Sequence, residues 1–120
     1  MDLDLSPDQQ ELQAAIGRMA APYQSAPAGD TSYYLDGMPL YAEMEAGGFT
    51  NAAAMDDYGA LGGLLLLEAA SALPYSVPLT GAALVAPMAV REGLKGPVAL
   101  AFSGRGAAVR HLPTASTLLI

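Results

Sequence analysis

Cysteine is absent from the chain, so neither a disulfide framework nor a thiolate metal site is available. That absence fits the cytoplasm, the compartment expected for it. Charge is also scarce: charged residues are 14%, where a free-standing soluble domain carries about 25%. Hydrophobic residues make up 52%, so some apolar surface is expected to be covered by protein outside this chain. Positive charge is scarcest. Five Lys and Arg against 12 Asp and Glu give a net charge of −7, which leaves no basic patch for nucleic acid or for an anionic membrane surface. No signal peptide is visible, because the N-terminus is acidic where such a segment is basic and then apolar. No run is long enough to cross a membrane, which takes about 20 apolar residues. The longest, Leu61 to Leu67, is interrupted by Gly62 and Gly63 and ended by Glu68. No internal repeat is present. The 120 residues suffice for one domain with a real core, or for part of something larger.

The opening is the clearest signal present. Ser6 is placed to cap a helix, Pro7 suits its first position, and Gln9 is three residues on, as a capping box requires. Asp8 and Glu11 add negative charge at the positive end of the dipole. Leu12, Ile16, Met19 and Ala20 then recur on one face. This predicts a first helix from Pro7 to Ala21, followed by a long loop to Asp36 that Tyr33, Tyr34 and Leu35 would pin down. A second helix is expected from Pro39 to Ala46, closed by Gly47-Gly48. Thr50 to Asp57 reads as a turn of helix or less. A third helix, apolar on most faces, spans Tyr58 to Leu73 and stops at Pro74. A fourth covers Leu79 to Arg91, with Pro87 imposing a kink or an early end. Short strands are then expected at Pro97–Ser103, Ala108–Leu112 and Thr117–Ile120, with Gly104-Arg105-Gly106 as a tight hairpin turn. The fold class is mainly α: an antiparallel helical bundle over residues 1–95, then two or three strands that begin a β-domain over 96–120.

Few residues offer chemistry. Glu68 is the only carboxylate of the third helix; it reads as a helix-packing glutamate before it reads as a perturbed buried acid. Glu43 and Glu45 read as a solvated face. His111, the one histidine, has no His, Asp or Glu cluster near it in sequence and reads as a strand or loop residue without a special role. Asp56-Asp57 reads as a polar pair at a helix start, not a cation site. The six methionines read as core filler. No phosphate-binding loop, dinucleotide fingerprint or nucleophile elbow appears.

The order of segments resembles the N-terminal helical domain of acyl-CoA dehydrogenases running into their middle β-domain. Leu5-Ser6-Pro7-Asp8-Gln9-Gln10-Glu11-Leu12 is similar to the family's first helix, and Leu40 to Phe49 to its second. Gly62-Gly63 through Leu67-Glu68-Ala69-Ala70 is similar to the helix with a glutamate after an apolar run. Leu73-Pro74 and Val77-Pro78-Leu79 resemble the proline-punctuated link, and Gly96-Pro97-Val98-Ala99-Leu100-Ala101 the first β-strand. The family continues that strand as Thr-Glu-Pro and then Gly-Ser-Asp. Here Ser103 stands at the threonine, Gly104 at the glutamate, and the Gly-Ser-Asp is absent. By this resemblance the family's C-terminal helical domain, which supplies the catalytic glutamate there, would have no counterpart within these 120 residues.

The resemblance implies a divergent or truncated subunit of a flavin-dependent enzyme that desaturates acyl thioesters. Such a chain would form one wall of an acyl pocket, be inactive alone and pair with a complete acyl-CoA dehydrogenase subunit as a homo- or hetero-oligomer. The implied cofactor is FAD, not held by this chain alone. Carried over from the family, Leu100, Phe102 and Ser103 would touch it, and Leu64, Glu68 and Leu84 would line the acyl wall. The alternative is a non-enzymatic helical interaction module descended from the same family.

Overall fold

A capping box starts the molecule. The Gln9 amide N–H donates to Ser6 Oγ at 3.2 Å, and the Ser6 amide donates to Gln9 Oε1 at 3.0 Å. With both bonds made and Pro7 at its first turn, α1 runs Pro7–Ala20 and tightens into a 3₁₀ turn at Ala21–Tyr23. The computed structural model describes residues 4–30, 35–90, 94, 96–101 and 108–120. Within them the chain is mainly helical, with four short strands. No helix among these residues is long and apolar enough to cross a membrane.

The second helix, α2, spans Met38–Ala46 and closes at Gly47-Gly48 as the sequence indicates. The stretch read as a turn or less is longer: Phe49–Ala54 forms a six-residue 3₁₀ helix. The third helix, α3, spans Gly59–Ser71. It packs on this 3₁₀ helix, on α1 and on the helical turn that begins at Thr80. Leu12, Ile16, Leu40, Met44 and Leu66 meet there as the core. Tyr41 is 2% exposed in the same cluster. Its burial first, and the Glu45 carboxylate second, hold the phenol well above its ordinary range.

The fourth helix departs from the reading. It begins as a π-helical segment, Thr80–Val85, and only then becomes α4, Ala86–Ala89. Pro87 has no N–H to give to the carbonyl four residues back, so a regular α-helix cannot run through it. The turn before it is wider, and the Ala86 N–H reaches Gly81 O, five residues back. Two glycines let this wide turn sit close to its neighbours. A Cβ on Gly63 would lie 2.6 Å from Ala83 O, and one on Gly81 would fall on Val98 O.

All strand pairing among the described residues is parallel. Strands β1 (Leu35–Asp36) and β2 (Tyr75–Ser76) pair Leu35 with Tyr75 and Asp36 with Ser76. Strands β3 (Val98–Leu100) and β4 (Thr117–Leu119) pair Val98 with Thr117 and Leu100 with Leu119. The expected strand at Ala108–Leu112 is not formed. His111 takes a left-handed backbone, φ 60°, which breaks extension, and Leu112–Thr114 coils into a 3₁₀ turn led by Pro113. Parallel strands need a crossover connection, and the sequence predicts a tight turn at Gly104-Arg105-Gly106 between β3 and β4. That turn lies outside the described residues, as do Tyr33, Tyr34, Arg91, Phe102 and Ser103.

Two carboxylates of α2 fasten the parts together. Tyr23 OH donates to Glu43 Oε1 at 2.5 Å, while the Tyr23 ring meets Tyr75 edge-on with centroids 5.4 Å apart. The Gly96 amide donates to Glu45 Oε1 at 3.1 Å, tying α2 to the entry of β3. Both glutamates are exposed, in keeping with a solvated face, yet each also makes a contact distant in sequence.

Candidate functional site

An open cleft of about 640 Å³ lies at the seam between the helices and the β3–β4 pair. Its walls come from four separated segments. The C-terminal end of α3 gives Leu67, Ala70 and Ser71, and the chain from Leu73 to Gly81 forms the long side with Tyr75, Val77 and Leu79. Opposite stand Val98, Leu100 and Ala101 of β3, then Ala108 to His111. Leu73, Leu79 and Val98 are buried, so these apolar walls are fixed by the core behind them.

The charge of the lining is one-sided. Among the described residues, Arg110 and His111 are its only basic ones, and no Asp or Glu contributes. His111 is partly buried at the wall. Burial first, and the Arg110 charge second, push its imidazole below the ordinary range. The ring is therefore neutral near pH 7, and Arg110 supplies the fixed positive charge. Among the described lining residues, Ser71, Tyr75, Ser76 and Thr80 carry hydroxyls.

The family-derived residues divide between this cleft and elsewhere. Leu100 lines it. Leu64 is 47% exposed. Glu68 is exposed as well, and its backbone carbonyl accepts from Ser71 Oγ at 2.7 Å. Leu84 is half-buried on the π-helical turn. None of these three is among the lining residues, so the structure does not bring them together with Leu100. On α3 it is Leu67, three residues after Leu64, that faces the cleft.

Sequence reasoning passed over Leu73, Leu79, Val98 and Arg110 as a set. One signal could have found Arg110: every acidic residue precedes Gly93, whereas Lys95, Arg105 and Arg110 follow it. The strand region is a basic segment in an acidic chain.

The described residues do not amount to a flavin site by themselves. Leu100 offers an apolar contact, and every buried side-chain polar atom already has a hydrogen-bond partner. Among the described residues no buried side-chain donor is left unpaired to meet a flavin carbonyl or ring nitrogen. Among the described residues no three His, Asp or Glu side chains converge to hold a metal ion, and Asp56 and Asp57 are exposed. The chain matches no protein-family model, no curated protein and no solved structure.

Proposed function

We propose that this chain is the front portion, or a divergent subunit, of an acyl-CoA dehydrogenase-type assembly, and that it contributes the wall against which the acyl chain lies. In this reading its helices are part of that family's antiparallel bundle. The observation that carries it is the cleft at the helix–strand seam: apolar on both sides, free of carboxylates among the described residues and containing Leu100. Its size is that of a small-molecule site, about 300–1,000 Å³. Removing the α-proton of a thioester needs a carboxylate within hydrogen-bond reach, and none of the described residues lining the cleft is one. The base and the flavin therefore come from a complete acyl-CoA dehydrogenase subunit, and the chain alone is inactive.

The test is a titration of the purified chain with decanoyl-CoA, with and without free FAD. Saturable binding without flavin bleaching is the expected result, together with a yellow complex when a complete subunit is co-expressed. Bleaching by the chain alone, or no acyl-CoA binding, would overturn the reading. The alternative of a non-enzymatic interaction module draws on exposed apolar side chains, Met88 at 62% and Ile120 at 83%. A colourless, stable homodimer without acyl-CoA affinity would select it.

A further inference from the structure

We propose that the cleft selects a single-chain amphiphile with an anionic head, the tail lying along Leu73, Leu79, Val98 and Leu100 and the head held by Arg110. The inference rests on reading the cleft as an acyl pocket but is independent of flavin chemistry. Three observations carry it. The walls are apolar and backed by buried side chains, so they offer a tail a dry surface. Acidic residues outnumber basic ones 12 to 5 along the chain, yet the described lining residues include no carboxylate and one arginine, a local reversal of charge. Arg110 is exposed, and no carboxylate among the described residues neutralises it.

An arginine with unused donors at the edge of an apolar cleft suits a carboxylate or phosphate, which its planar fork can engage with two hydrogen bonds. A neutral head would leave those donors unused, and a cationic head would be repelled. The anion could be the carboxylate of a free acid or a phosphate of a thioester carrier, and the arms of the experiment separate these.

The intact chain is titrated calorimetrically with decanoate, decanol and decanoyl-CoA at low salt, then again as Arg110→Gln, Arg110→Lys and Leu100→Ser. Decanoate is expected to bind about tenfold more tightly than decanol, the scale of one hydrogen bond to a charged group. Arg110→Gln should abolish that preference, Arg110→Lys should keep much of it, and Leu100→Ser should weaken all three ligands together. Tighter binding of decanoate than of decanoyl-CoA assigns the head to a carboxylate; the opposite order assigns it to a phosphate. Equal affinity for decanoate and decanol, or a preference that survives Arg110→Gln, overturns the inference and leaves the acyl pocket standing. Failure of all three ligands to bind overturns the acyl pocket itself.

Discussion

Single side chains here carry more than their local surroundings suggest, and Gln9 shows it best. Its Oε1 completes the capping box while its Nε2 donates to Tyr58 O at 3.2 Å, just ahead of α3. The local half was legible in the sequence, because Ser6 and Gln9 are three residues apart. The other half was not, because Tyr58 is 49 residues away. Gln9→Glu keeps the cap acceptor and removes the donor, whereas Gln9→Ala removes both. Urea unfolding should show Gln9→Glu less stable by about 1 kcal/mol and Gln9→Ala by up to about 2 kcal/mol. No loss in Gln9→Glu would mean that the bond to Tyr58 contributes nothing. His111 gives a pH dependence of defined sign. Its imidazole titrates below the ordinary value of 6.5 in the fold, through burial and then Arg110. Between the two values the unfolded chain binds more protons, so stability rises with pH through this window and falls as pH drops below about 6.5. His111→Asn tolerates the same left-handed backbone and cannot titrate. Its melting temperature should change less than the parent's between pH 7.5 and pH 5.5.

Legibility at the scale of elements followed how local the cause was. The boundaries of α1, α2 and α3 were set by caps, glycines and prolines within a few residues, and the structure keeps them within a residue or two. The π-helical segment depends on Pro87 together with the close approach of Gly81 to Val98, a contact across 17 positions that no periodicity reports. The parallel pairing of β3 with β4 was hidden for the same reason, and so was the cleft built from four separated segments. Two glycines test the distinction in opposite directions. Gly17 lies inside α1 with nothing within 4 Å of an added Cβ, so Gly17→Ala should stabilise the chain by about 1 kcal/mol through helix propensity alone. Gly81→Ala gains the same propensity but drives its methyl into the Val98 carbonyl. It should cost about 1–3 kcal/mol and widen the cleft, since Gly81 and Val98 both line it. Denaturant midpoints of the two variants decide the matter, and a stabilised Gly81→Ala would show that the close approach is not maintained.

Across the whole molecule, stability is expected to be uneven, and the unevenness falls at the cleft. The helical side contains Ile16, Leu40, Met44 and Leu66, each at most 2% exposed. The strand side has Val98 and Ala99 buried, while no residue of β4 is, and its Leu118 is 42% exposed. Two strands alone are marginal in water. The β4 carbonyl bonds, such as Ala101 N–H to Leu119 O at 2.8 Å, therefore lie at the low end of local stability. Amide hydrogen exchange should find Leu66 protected to the level of global unfolding, with Leu119 and Ala101 exchanging at least about a hundredfold faster. A ligand seated between Leu79 and Leu100 bridges the stable side to the labile one, so saturating decanoate should slow exchange at Ala101 while leaving Leu66 unchanged relative to global stability. Protection of Ala101 equal to that of Leu66 without ligand would show one cooperative unit. The cleft would then be a rigid seam closed by the chain itself, not a boundary that a ligand or partner completes.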